Sequence, residues 1–177
     1  MTKQLWIFGY GSLLWDPGFD PAEAVQACAK GWHRSFCMRS MVHRGTPEAP
    51  GLVLALDAAE GAMCHGMGFA VRPEEEDRVI AELRARELVT DAYLERRIAL
   101  DLVDGRAVEA VTYVIDKAHH QYCDLSLAEQ ARIIAGATGG RGPNRDYLWN
   151  TARHLHEMGL NDPDLDWLAE EVRMLTA

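Results

Sequence analysis

The chain has 177 residues, 48% of them apolar and 25% charged, a balance that suits one compact domain spanning residues 1–177. Eighteen lysines and arginines against 27 aspartates and glutamates leave a net charge of −9, which argues against a nucleic-acid partner because that needs a basic surface. The same field repels anions, so an anionic substrate has to be captured by local arginines or backbone N–H groups.

Residues 4–8 are a continuous apolar run and read as a buried strand, stopped by the tight turn Gly9-Tyr10-Gly11-Ser12. The run is too short for a membrane span and has no cleavage-type flank, so no membrane partner and a cytoplasmic location are expected. Residues 21–29 read as a weak helical stretch. Strands follow at 32–40, 51–57, 64–71, 93–103 and 107–116, with a stronger helix at 73–88. Asp104-Gly105 is a hairpin signal between the last two strands.

From residue 126 the pattern turns helical. Ser126 with Glu129 is a capping box, Pro143 marks a helix start, and Asp162-Pro163 supplies an N-cap followed by a first-turn proline. Strands in sequence followed by helices predict an α+β fold: a mostly antiparallel sheet or small barrel with helices packed outside.

Several polar groups stand out. Gly9 and Gly11 permit positive φ and a close ligand approach, and successive N–H groups there can hold a carboxylate or an oxyanion. An ordinary strand-ending turn fits the same residues, and the spacing is neither a dinucleotide fingerprint nor a P-loop. On the 73–88 helix, Glu87 follows Ile80 by seven positions and Leu83 by four, which puts a carboxylate on the apolar stripe. Burial there raises a carboxyl pKa and prepares a general base; pairing with Arg84 or Arg86, or an earlier helix end, is the alternative.

His119-His120 and His154-x-His156 lack metal-site spacing, so no metal is expected. Ser12 lacks the context of a nucleophile. Cys28, Cys37, Cys64 and Cys123 form no C-x-x-C pair, and Cys37 and Cys64 read as buried strand residues. Arg39 and Arg44 suit either a substrate carboxylate or solvated strand ends. Tyr113 and Tyr147 divide between core packing and substrate contact.

Four blocks carry a family resemblance. Phe8-Gly9-Tyr10-Gly11-Ser12-Leu13-Leu14-Trp15, His43-Arg44-Gly45-Thr46-Pro47-Glu48 with Pro50-Gly51, Arg86-Glu87, and Gly142-Pro143-Asn144-Arg145-Asp146-Tyr147-Leu148 resemble, in order, the motifs of the ChaC-like γ-glutamyl cyclotransferases. Many members follow the arginine–glutamate pair with a Gly-Gly-Tyr turn, whereas this chain has Leu88-Val89-Thr90-Asp91-Ala92-Tyr93. The resemblance implies a small mixed barrel with flanking helices and cleavage of glutathione into 5-oxoproline and cysteinyl-glycine without a cofactor. It makes Glu87 the catalytic base.

The substrate-binding candidates are then Phe8, Gly9, Tyr10, Gly11, Ser12, Leu13, Arg39, Tyr113 and Tyr147, with a small γ-glutamyl molecule as partner and a monomer or weak homodimer as the assembly. Other γ-glutamyl amines or amino acids are the alternative substrates. A non-catalytic ligand-binding domain is the reading from another class, and it would lack the carboxylate that Glu87 supplies.

Overall fold

A computed structural model describes residues 3–177. Two compact units emerge: Met1–Arg34 with Leu56–Asp116, and Ser35–Ala55 with Lys117–Ala177. The main sheet is a closed barrel in the order β1-β3-β2-β4-β5, with β3 also pairing β5. Its strands are β1 (Trp6–Gly9), β2 (Glu23–Ser40), β3 (Gly51–Ala70), β4 (Tyr93–Leu102) and β5 (Ala107–Ile115). Helix α1 (Glu76–Glu87) stands between β3 and β4 in sequence. After β5 come α2 (Leu127–Gly136), the short pair β6 (Thr138–Gly139) and β7 (Gly142–Pro143), α3 (Asn144–Glu157) and α4 (Pro163–Leu175). The α+β class and the barrel agree with the sequence expectation.

In the first unit, β1 runs antiparallel to β3, with Trp6 opposite Ala70 and Gly9 opposite Met67, and parallel to β5, with Trp6 opposite Ala110. Its apolar run is continuous because both faces are covered. Trp6, Phe8 and Tyr10 join one buried cluster with Leu56, Leu100 and Val114, while Ile7 joins another with Val79 and Leu83 of α1, Leu13 and Tyr113. That alternation is the period of a strand. β4 and β5 form the expected hairpin, pairing from Tyr93 opposite Ile115 to Asp101 opposite Ala107. Gly105 takes the positive φ of 93° that the turn needs.

Three expectations are corrected here. Residues 21–29 are not helical: β2 begins at Glu23, and Ala27 pairs with Leu102. Ala27 and Ala29 are buried with Cys28 between them less so, a period of two, and the barrel overrides the helical preference of alanine. The segment 32–40 is accordingly the second half of β2. Residues 51–57 and 64–71 are likewise parts of one strand, Gly51–Ala70. Gly31 in β2 (φ 85°) and Gly61 in β3 (φ 79°) each sit inside a strand that continues past them, and each takes the positive φ that glycine permits inside a strand.

In the second unit, α2, α3 and α4 pack on one another. The Ser126 capping box forms, with the Glu129 amide donating to Ser126 Oγ at 3.2 Å and that hydroxyl donating to Glu129 Oε1 at 3.0 Å. Asp162 caps α4 by accepting from the Leu165 amide at 3.1 Å, and Pro163 opens the first turn. Pro143 precedes α3 in extended conformation, so α3 starts one residue later, at Asn144. Asn144 is fully buried, and its side-chain amide acts as a strand partner for Leu52: Oδ1 accepts from the Leu52 N–H and Nδ2 donates to the Leu52 carbonyl, each at 2.8 Å.

Candidate active site

The candidate site lies in the first unit, where β1 ends in a turn. Ser12–Leu14 form a short 3₁₀ turn preceded by Gly11, with the Leu14 amide donating to the Gly11 carbonyl at 2.9 Å and the Asp16 amide to the Ser12 carbonyl at 3.0 Å. No side chain caps the start of this turn. The amides of Ser12 and Leu13, which lead into it, are therefore placed to receive negative charge.

The glycines serve the turn differently from the expectation. Neither Gly9 nor Gly11 has positive φ. Gly9 gives the turn room, since a Cβ there would lie 3.1 Å from the Leu13 carbonyl carbon and 3.2 Å from the Leu14 nitrogen, a tight fit that the turn would have to yield to. At Gly11 a Cβ would meet nothing within 4 Å, so the turn faces open space at that point.

Two buried tyrosines and a buried arginine hold the turn from behind. Tyr10 donates its hydroxyl to the Tyr113 carbonyl at 2.7 Å. Arg34, only 3% exposed, donates Nε to the Tyr10 carbonyl at 2.7 Å and Nη2 to the His65 carbonyl. Thr112 Oγ1 donates to the Phe8 carbonyl at 3.1 Å. The turn is thus anchored through its carbonyls, and Arg34 is a contributor that sequence reasoning missed. It sits between His33 and Ser35 in a strand that carries other polar residues, so nothing in the sequence marks it out.

Glu87 is the last residue of α1. The helix buries Val79 and Leu83, one turn apart, in the same cluster as Leu13 of the turn and Tyr113 of β5. Four residues beyond Leu83, Glu87 continues that stripe. Its side chain is 18% exposed, and burial pushes its carboxyl above the usual carboxylate value, opposed by the charge of Arg86. The contact with Arg86 is long, 3.5 Å from Nε to Oε1. Arg84 is not a partner, because it forms a bidentate pair with Glu95 at 3.0 Å to each oxygen.

Tyr113 donates its hydroxyl to Glu95 Oε1 at 2.9 Å and feels the charge of Glu87. Burial first, and these carboxylates next, hold the phenol well above its ordinary value, so it stays protonated. Its proton is committed to Glu95, which leaves the oxygen lone pairs as acceptors for an N–H. Glu95 was not among the sequence candidates, because a charged residue on a strand face carries no distinguishing pattern, and Arg84, expected as a possible partner of Glu87, pairs with Glu95 instead.

Phe8 through Leu13, Glu87 and Tyr113 thus share the first unit. Arg39 and Tyr147 belong to the second. The Arg39 amide donates to the Gln121 carbonyl at 2.8 Å, and its carbonyl accepts from Gln121 Nε2 at 2.9 Å. Tyr147 packs edge-on against Phe36, with centroids 5.9 Å apart, and its hydroxyl accepts from the Leu54 amide at 3.2 Å. Arg44 is fixed by donating Nη1 to the carbonyls of Arg141 and Pro143 at 3.1 and 3.2 Å, with its guanidinium 5.6 Å from the Tyr147 ring centre. These bonds make Arg44 an internal strut between two of the four motif blocks. Cys37 and Cys64 are buried as expected.

The arrangement offers one protected carboxylate, a tyrosine oxygen and an amide-lined turn, a set suited to moving a proton beside a centre that becomes negative. The chain is 37% identical over 174 residues to the glutathione-specific γ-glutamylcyclotransferase of Escherichia coli K12, covering 98% of this chain and 74% of that protein. It is 36% identical over 179 residues to γ-glutamylcyclotransferase 2-1 of Arabidopsis thaliana, covering 96% and 82%. A crystal structure of a yeast γ-glutamyl cyclotransferase specific to glutathione superposes with a TM-score of 0.84 at 22% identity, covering 99% of this chain and all of that one, and so shares the fold. The ChaC-like protein model matches residues 5–175, and the chain belongs to that family.

Proposed function

We propose that the protein cleaves glutathione to 5-oxoproline and cysteinyl-glycine. The observation that carries this reading is the carboxyl of Glu87, raised by burial and continuing the packed stripe that joins Leu13 to Tyr113. The relatives named for this activity support glutathione as the substrate.

In the reaction the substrate's α-amine attacks its own γ-carbonyl. A C–N bond closes the five-membered lactam, and the bond to the cysteine nitrogen breaks. Nucleophile and electrophile share one molecule, so the protein's first task is to hold the glutamyl chain folded. Well-oriented intramolecular attack reaches effective molarities on the order of 10⁵ M or more.

The α-amine arrives as an ammonium. Glu87 takes its proton and later returns it to the departing cysteinyl amine, help typically worth about 10²–10⁴-fold. Tyr113 accepts an N–H from the same amine and orients it. The turn amides hold negative charge, either on the α-carboxylate or on the carbonyl oxygen as it becomes an oxyanion; one well-aimed donor contributes about 3–4 kcal/mol. The α-nitrogen sheds two protons in becoming the lactam N–H; Glu87 relays them in turn to the cysteinyl nitrogen, which departs as an ammonium, so no external oxidant or co-substrate is consumed.

We read the chain as one catalytic domain, because each compact unit is assembled from two separated segments. It acts in the cytoplasm as a monomer or weak homodimer; the buried free thiols of Cys37, Cys64 and Cys123 suit a reducing compartment. The test is to incubate the purified protein with reduced glutathione and measure both products. Equal amounts of 5-oxoproline and cysteinyl-glycine are expected. Release of free glutamate instead would point to hydrolysis and overturn the cyclisation.

A further inference from the structure

Arg86 is held at three atoms. Nη1 donates to the Asp16 carbonyl at 2.7 Å, Nη2 donates to Ser12 Oγ at 2.8 Å, and Nε lies 3.5 Å from Glu87 Oε1. The first two partners are 70 and 74 positions away in sequence. Both belong to the turn, and the third is the carboxylate next to Arg86 on its own helix.

The choice of partners is informative. Arg78 and Arg84 point their forks at carboxylates, Arg78 at Glu82 and Glu75 and Arg84 at Glu95. Exposed pairs of that kind contribute little. Arg86 has a carboxylate at its side and leaves it at long range, spending both terminal nitrogens on neutral acceptors of the turn. Asp16 closes the first turn after Ser12, so its carbonyl is at the turn's negative end, and a planar guanidinium alone can bond it and the Ser12 hydroxyl together.

We infer that Arg86 is a positioning residue for the cyclisation, a clamp that sets the spacing between the amide-lined turn and the helix end carrying the base. This rests on the reading of Glu87 as the base. Because Ser12 Oγ accepts from Arg86, the hydroxyl proton is free to point elsewhere, and the Ser12 and Leu13 amides are fixed with it. A displacement of about 1 Å between reacting groups can cost about 10²-fold in rate.

The clamp has an electrostatic side that a merely structural arginine would lack. The groups that face Glu87 are Arg86 from its own helix and Tyr113 from β5, whose hydroxyl is committed to Glu95 of β4, itself paired with Arg84. Arg86 is the cation that pulls the Glu87 carboxyl down against burial. Removing it leaves burial unopposed, so the carboxyl rises further.

The experiment compares Arg86→Met and Arg86→Lys in the full chain, with kcat, KM and the pH profile of kcat/KM for glutathione. Arg86→Met is expected to lower kcat about 10²-fold with a far smaller change in KM, and to move the acid limb to higher pH. Arg86→Lys keeps a cation beside Glu87 but cannot make the fork, so it loses kcat while its acid limb stays in place.

Wild-type kcat and an unmoved limb in Arg86→Met would overturn the clamp. Should that variant not fold, wild-type kcat in Arg86→Lys would overturn it equally. Glu87→Gln in the wild-type background reads the base assignment separately: if it keeps its rate, that reading fails, and the kcat loss in Arg86→Lys still decides the clamp.

Discussion

Glu87→Gln separates chemistry from stability in one substitution. Glutamine keeps the shape of the side chain at a position 18% exposed, so packing against the Val79–Leu83 stripe is preserved. It cannot take a proton from the substrate ammonium. The loss expected from removing a general base is about 10²–10⁴-fold in kcat, read as 5-oxoproline formed from glutathione. Stability moves the other way. Burial raises the folded-state pKa of Glu87 above its ordinary value of 4.5, so the ionised form is disfavoured in the folded protein.

A carboxyl raised on folding gives a contribution that is fully present below its unfolded pKa and is lost as pH rises through the folded pKa. The wild type should therefore lose ground to Glu87→Gln as pH rises from 4.5 through the raised folded-state pKa, then run parallel to it above that pKa. Urea midpoints across that range measure this. A glutamine variant that keeps more than about a tenth of the wild-type rate would sink the base assignment. One that is clearly less stable than wild type at pH 7 would refute the desolvation argument.

Further substitutions test the frame around the site. Asn144→Ala should cost about 2–6 kcal/mol by urea denaturation, because it leaves the buried N–H and C=O of Leu52 unpaired at about 1–3 kcal/mol each. A cost under about 0.5 kcal/mol, the usual scatter of neutral changes, would mean another group replaces the amide. Gly45→Ala should prevent folding or force the loop open, since a Cβ there would overlap the Gly51 nitrogen and lie 2.5 Å from the Ser40 carbonyl; a native far-UV and near-UV spectrum with an unchanged midpoint would contradict this. Ser126→Ala removes the N-cap of α2 and should lower stability by about 1 kcal/mol with activity intact.

Much of the chain was legible because local chemistry decides it. Asp104-Gly105 dictates its hairpin, Ser126 with Glu129 its cap, and Asp162-Pro163 its helix start, and each forms as expected. Glu87 could be singled out for the same reason: four residues after Leu83, helical spacing alone places it on the packed stripe.

Where partners are distant in sequence, the residues themselves were silent. Ala27 and Ala29 favour helix until Leu102 pairs beside them, and the barrel then decides. Gly9 suits the close approach of Leu13 and Leu14, not a positive φ of its own. The acceptors of Arg34, Arg44 and Arg86 cannot be read from sequence, and only folding assigns them: Arg34 to the Tyr10 carbonyl, Arg44 to Arg141 and Pro143, Arg86 to Ser12 and Asp16. Periodicity and turn chemistry act over a few residues and can be read locally, whereas a guanidinium reaches any acceptor that the fold carries to it.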